Sequence, residues 1–272
     1  MSKEKLIINL VSLILILSAI NVDGQNVPPA KKDTVIWDTV PFGKYTLHYT
    51  DSEAGNFMLF KSYFDKGIAS VQTFFGKKYP RPFNIYVFPN RKSLDKQWGK
   101  AGNKPGFKSE CWMVASGLGD RLDLLTPTVW EKDACDHDPA DKTEVQNLIT
   151  HELVQVFQGQ FNPHPDFAGM VDIGWFVEGL AVFVSGQLTK DRIDRAVKAI
   201  KLGKYPKELK NAWSGDNKYG IAGLMVNYIA NKYGNKKLYE LLPMTDQKGI
   251  LTLLNTNEND FLNNWRAWAL KQ

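Results

Sequence analysis

Residues 148–157 read LITHELVQVF, and this stretch decides the fold. Asp141 and Glu144, a few residues earlier, have the spacing of a capping box, which is typical of a helix start. The apolar positions that follow recur every three or four residues, as on one face of a helix. The sequence therefore predicts a helix over residues 142–158.

Three polar side chains of this helix indicate chemistry. His151 and Gln155 are four residues apart and lie on one face, with Glu152 beside them. An imidazole followed directly by a carboxylate is how the HExxH pattern presents a metal ligand together with a general base. In such a site the metal lowers the pKa of a bound water, and the glutamate takes its proton.

A second stretch, WFVEGLAVF at residues 175–183, supports this interpretation. Glu178 stands in a strongly apolar predicted helix, and Glu152 also has apolar neighbours. Because an unpaired buried carboxylate is costly, two such residues indicate a site rather than chance. A carboxylate on a second helix can complete a three-ligand metal site and leave one position open for water.

The pairing of ITHELVQVFQ with WFVEGLAVF resembles the gluzincin clan of zinc peptidases, whose HExxH motif precedes a ligand glutamate in a similar context. The run from Tyr219 to Tyr233 is also similar to that clan. The resemblance implies a metallopeptidase-type hydrolase in which His151 and Glu178 bind zinc. It further implies that Glu152 activates water and that Tyr219 steadies the oxyanion.

Gln155 departs from the motif, because it stands where the second histidine is expected. An amide oxygen is a poorer zinc donor than an imidazole. Three alternatives follow: Gln155 completes the metal site with His151 and Glu178, or His137 or His164 replaces it, or zinc is absent. In the last case the chain is a pseudopeptidase that binds a peptide or glycan in the retained cleft.

The order of predicted elements indicates an α+β, zincin-like domain. The N-terminal half combines a small mixed sheet with helices and the C-terminal half is a helical lobe, so the cleft between them is the expected site. Strands are predicted at residues 45–50, 83–88, 112–115 and 122–126. Helices are predicted at residues 57–75, 93–98, 142–158, 175–186, 190–202 and 218–233, with two more before the C-terminus. Predicted helix ends lie at Gly159, Gly203 and Gly234.

Residues 1–24 have the layout of a secretory signal peptide. Lys3 and Lys5 precede an apolar run that is short for a membrane span. An uncleaved membrane anchor is the alternative. Residues 25–40 are predicted to be a flexible lead-in to a single domain at residues 41–272, and the chain is expected to be secreted or periplasmic.

The net charge of +5 is a mild excess, without the dense basic patches of nucleic-acid-binding proteins. The resemblance to zinc peptidases implies a peptide or protein as the partner. Cys111 and Cys135 either form a disulfide or remain two buried thiols, and no Cys-His spacing indicates a zinc finger. Basic residues recur from Lys190 to Lys210, which indicates either an acidic partner or the solvated face of a helix.

Overall fold

A computed structural model describes residues 35–272, so the predicted signal peptide and most of the predicted lead-in lie outside the described residues. The strands of the described part are β1 (Asp38–Pro41), β2 (Tyr45–Tyr49), β3 (Phe83–Phe88), β4 (Ala115–Leu118) and β5 (Arg121–Leu125). Its α-helices are α1 (Phe57–Phe75), α2 (Arg91–Ala101), α3 (Trp130–Asp133), α4 (Lys142–Phe161), α5 (Gly174–Val184), α6 (Lys190–Lys201), α7 (Lys218–Tyr233), α8 (Asn235–Leu241), α9 (Gln247–Leu253) and α10 (Glu258–Ala269). Within residues 35–272, no helix has the length and apolar content needed to cross a bilayer.

The five strands of the described range form one mixed sheet in the order β1-β2-β3-β5-β4. β2, β3 and β5 are parallel, whereas β1 and β4 run antiparallel at the two edges. Leu47, Ile85 and Leu122 of the central strands are fully buried. α4 packs against α1 on one side and against β4 and β5 on the other. This packing sets α4 alongside an edge strand of the sheet.

The helical half is centred on the pair α5 and α7, which make extensive contact. A methyl group at Gly179 of α5 would lie only 2.5 Å from the carbonyl oxygen of Ala222 in α7. The missing side chain therefore allows the two helix backbones to approach each other directly. This close approach fixes the position of Glu178, the preceding residue of α5.

We expect Gly179→Ala to lower the free energy of unfolding by about 2–3 kcal/mol, because overpacking against backbone atoms forces the two helices apart. Chemical denaturation of the purified variant measures this change. The control is Gly55→Ala, since nothing lies within 4 Å of a methyl group built at Gly55. Equal stability of the two variants would contradict the close approach of α5 and α7.

The predicted α+β class is confirmed, as are the strand at residues 83–88 and the helix at residues 57–75. Some boundaries are wrong. Gly159 lies inside α4 rather than at its end, because its missing side chain admits the backbone of Gly119, 2.7 Å from a methyl group built there. The sheet begins within the predicted lead-in, since β1 starts at Asp38, and three helices rather than two follow α7.

The strand predicted at residues 112–115 is also displaced, since β4 begins at the last of these residues. The guanidinium group of Arg91 explains the shift, because it donates hydrogen bonds to three backbone carbonyls in this segment. These carbonyls belong to Glu110, Cys111 and Met113. They are satisfied by a side chain rather than by a neighbouring strand, so the segment has no need to join the sheet.

Candidate active site

A cleft lies between the edge strand β4 and the helices α4 and α5. Its two halves have volumes of about 410 and about 430 Å³. Gln155 and Glu178 line both halves, and so do Ala115 and Ser116 of β4. Gln155 and Glu178 therefore lie where the two halves meet, while His151, Glu152 and Tyr219 line only the half of about 430 Å³.

The predicted helix start is confirmed. The Asp141 carboxylate accepts hydrogen bonds from the backbone N–H groups of Thr143 and Glu144 at the beginning of α4. From there α4 carries its three site residues into the cleft, and all three are almost completely buried. These residues are His151, Glu152 and Gln155.

The His151 ring is held from both sides. Its Nδ1 atom lies 2.8 Å from Oε1 of Gln187, and its Nε2 atom lies 3.3 Å from Oε2 of Glu178. Burial lowers the pKa of His151, but the hydrogen bond to Glu178 and the charges of Glu152 and Glu178 outweigh it and raise the pKa overall. A protonated His151 donates to both partners and forms a buried ion pair with Glu178.

The environment of the Glu152 carboxyl group disfavours its charged form. Burial raises its pKa to about 7, against a lowering contribution from His151, and the charge of Glu178 raises it further. The backbone N–H of Gly117 donates a hydrogen bond to this carboxylate, whereas its Oε2 atom has no partner among the described residues. Such a carboxyl is poised to exchange a proton near neutral pH.

Gln155 stands beside His151, with its Nε2 atom 3.3 Å from the His151 Nε2 atom. The predicted metal ligands are therefore brought together, but they fit zinc poorly. His151 and Glu178 supply two zinc donors of the usual kinds, and Gln155 adds only a neutral amide. Among residues 35–272, no group of three His, Cys, Asp or Glu side chains is placed to hold a metal ion.

Neither alternative histidine fills the gap. His137 lies in the larger half of the cleft, but both of its ring nitrogens are engaged. Nδ1 lies 3.1 Å from Oε1 of Glu144, and Nε2 lies 2.9 Å from the carbonyl oxygen of Trp112. His164 is exposed and outside the lining of the cleft. In the structure, therefore, His137 is engaged with other partners and His164 lies outside the cleft.

Tyr219 lines the same half of the cleft as His151, Glu152 and Glu178. Burial, together with the negative charge of Glu178, raises the pKa of its hydroxyl well above the usual range. The hydroxyl therefore keeps its proton at neutral pH. It is available as a neutral hydrogen-bond donor to a bound ligand.

Several residues line the cleft although no sequence motif predicts that they do. Gln187 orients His151 from a loop far along the chain, and nothing in the sequence marks it. Lys218 and Arg192 add positive charge to the larger half. Arg192 belongs to the basic segment noted above, in which Arg195 instead forms a surface ion pair with Asp191. That segment is therefore partly a solvated helix face and partly a cleft wall.

A disulfide joins Cys111 to Cys135, which settles the choice between a bridge and two thiols. It links two segments of the cleft wall, one carrying Trp112 and the other carrying His137. The Arg91 guanidinium group holds the same segments together, since it also donates to the carbonyl oxygen of Asp133 at 2.6 Å. The wall is thus fixed by a covalent bond and by one shared cation.

Comparison with known proteins finds two similarities to peptidases. Residues 134–268 match the family model of peptidase family M9, described as collagenase. A solved M1 zinc metallopeptidase from Deinococcus radiodurans superimposes with a TM-score of 0.47 and 13% sequence identity. The alignment covers 86% of this chain and 49% of the other, so the chain spans about half the length of that enzyme. No curated protein sequence matches the chain.

The match to the peptidase family includes α4 to α9 and all five predicted site residues. The match spans 135 of the chain's 272 residues and is a similarity to that family over the helical half of the chain.

Proposed function

We propose that this chain binds an extended peptide in the cleft of a zinc-metallopeptidase fold. We also propose that the cleft holds no catalytic zinc, because Gln155 stands where the motif has its second histidine ligand. The donor set carries this proposal, because one imidazole, one carboxylate and one amide replace the three strong donors of a catalytic site. We also propose that the protein is exported by residues 1–24. The disulfide between Cys111 and Cys135 supports an oxidising compartment.

The open edge of β4 supports an extended ligand. The backbone N–H of Leu125 donates to the carbonyl of Val114, and Ser116 lies opposite Asp123 in the sheet. Because hydrogen-bonding directions alternate along an antiparallel strand, the backbone groups of Ala115 point away from β5 and toward the cleft. An added peptide strand would pair with these groups.

A metal-dependent peptidase is the second candidate. One observation favours it: the other residues that a catalytic metal site needs are present around Gln155. Gln187 orients His151, Glu152 has a free oxygen and a pKa near neutrality, and Tyr219 offers a hydroxyl. In this candidate Gln155 binds the metal through its amide oxygen, together with His151 and Glu178.

The two candidates differ in metal content and in cleavage. We expect elemental analysis of the protein, purified from zinc-supplemented cells, to find far less than one zinc per chain. We expect random peptides to bind intact, as measured by mass spectrometry after incubation. About one zinc per chain, with cleavage abolished by Glu152→Gln, would instead establish the peptidase. Binding of neutral oligosaccharides without any binding of peptides would contradict a peptide ligand.

The role of the edge strand has its own test. We expect Ala115→Pro to weaken peptide binding at least tenfold, because it removes a backbone donor that faces the cleft. Ala115→Ser keeps that donor and should bind as the wild type does. Equal binding by all three proteins, measured by calorimetry, would rule out strand pairing at β4.

A further inference from the structure

The larger half of the cleft contains two cations that lack a paired carboxylate in the part of the chain that the structure describes. Arg192 and Lys218 both line it and both are partly buried. Burial lowers the pKa of each of these side chains. Among residues 35–272, neither of them forms an ion pair within 4 Å, although exposed carboxylates, Asp136 and Asp216, lie on the same wall.

Lys218 is held by aromatic rings instead of by a carboxylate. Its Nζ atom lies 4.8 Å from the ring centroid of Trp213, 5.4 Å from that of Tyr219 and 5.5 Å from that of Trp112. Ring faces attract a cation but leave its N–H donors without acceptors. These donors can therefore still bind an anionic group in the cleft.

Arg192 approaches the same tyrosine, with its Cζ atom 5.2 Å from the ring centroid of Tyr219. One of its nitrogens, Nη1, donates to the carbonyl oxygen of Gln187 at 3.2 Å. That bond fixes the guanidinium group, and its other donors have no hydrogen-bond acceptor among the described residues. A fixed guanidinium with free donors suits a carboxylate, which accepts two parallel hydrogen bonds.

The two cations belong to one half of the cleft only. Glu178 lines both halves, whereas Glu152, Arg192 and Lys218 line the larger half alone. The smaller half is lined largely by apolar residues, among them Phe167 and Met170. A ligand that lies along the cleft would meet apolar surface at one end and unpaired positive charge at the other.

We propose that the larger half of the cleft is a subsite for a carboxylate of the bound peptide, which Arg192 and Lys218 hold beside the aromatic rings. This subsite rests on the proposed peptide-binding function and adds its specificity. The carboxylate belongs either to an acidic side chain or to the C-terminus of the peptide. Partial burial strengthens such a pairing relative to one at an exposed surface.

Three pools of random octapeptides test the subsite. The first pool is uncharged and blocked at both ends, the second adds one glutamate at a fixed position, and the third leaves the C-terminus free. We expect immobilised protein to retain one or both carboxylate pools at least tenfold better than the neutral pool. The pool that is retained identifies the source of the carboxylate.

The variant Arg192→Gln/Lys218→Met should lose this preference while still binding the neutral pool. Arg195→Gln/Lys198→Met removes two charges from the same region of α6 outside the lining of the cleft and should keep the preference. Thermal unfolding verifies that both variants fold, and Lys218→Met alone serves if the double variant does not.

Each remaining outcome contradicts a specific step. Equal retention of all three pools by the wild type would overturn the carboxylate subsite and leave peptide binding intact. A preference that survives Arg192→Gln/Lys218→Met would overturn the assignment to these two residues. Retention of no pool at all would overturn the proposed function and the subsite with it.

Discussion

Gln155→His is expected to give this chain a zinc site, with about one zinc bound per chain. The reason is local: the new imidazole would join His151 and Glu178, which already lie within 3.3 Å of each other. Three protein donors and an open fourth position are what catalytic zinc requires. At a free zinc concentration a thousand times the dissociation constant, binding would stabilise the fold by about 4 kcal/mol.

Elemental analysis and thermal unfolding, each with and without zinc, measure this result. Gln272→His adds an exposed histidine outside the cleft and should gain neither metal nor stability. Gln155→His combined with His151→Gln should lose the metal again. If Gln155→His bound no more zinc than the wild type, the close approach of His151 and Glu178 would not amount to a metal site.

Hydrolysis of an unfolded protein by the Gln155→His variant would show that the bound metal supports catalysis. Glu152→Gln in that background should keep the metal and reduce the rate by about 10²–10⁴-fold, the usual contribution of a general base. Loss of metal in the combined variant would show instead that Glu152 is itself a ligand.

The second large effect concerns stability. Glu152→Gln in the otherwise unchanged chain is expected to raise the free energy of unfolding at pH 8 by about 3 kcal/mol. Burial raises the pKa of Glu152 from 4.5 to about 7 in the folded protein. A difference of one pKa unit corresponds to about 1.4 kcal/mol, so ionising this carboxyl opposes folding by roughly that total.

Because the pKa of Glu152 is higher in the folded state than in the unfolded state, its effect on stability depends on pH. Below about pH 4 the folded and unfolded states are both protonated, so the substitution should change stability little. Between about pH 4.5 and 7 the unfolded state binds fewer protons than the folded state at Glu152, and the wild type loses stability as the pH rises. The gain from Glu152→Gln should grow over this interval and level off above it.

Denaturant unfolding at pH 4, 6 and 8 measures the effect, and Glu131→Gln, at an exposed glutamate, is the matched control. A gain in the free energy of unfolding that is the same at all three pH values would mean that the substitution acts through packing rather than through charge. A loss of stability at pH 8 would show that the carboxylate has a stabilising partner.

The sequence predicted the elements whose information is local. The helix α4 has its cap at Asp141 and its apolar spacing within twenty residues, so its start was found at the correct residue. The pairing of His151 with Glu178 was found for the same reason, because each lies in a short characteristic stretch. The predicted cleft followed from the change in character between the halves of the chain.

Features that depend on distant contacts were not predictable. Arg91 binds carbonyls about twenty residues away and thereby displaces β4, and no pattern in the sequence marks that pairing. Gly159 reads as a helix end, whereas the fold uses it for contact with Gly119. Gln187 reaches His151 across a separation of 36 residues, and only the packing of α4 against α5 brings them together.

The identity of residue 155 also has a genetic consequence. In the standard code, glutamine and histidine codons differ only at the third base, so a single transversion makes Gln155→His. The neighbouring imidazole, carboxylates and tyrosine are already in place around that position. A single nucleotide therefore separates the proposed metal-free cleft from one with three strong zinc donors.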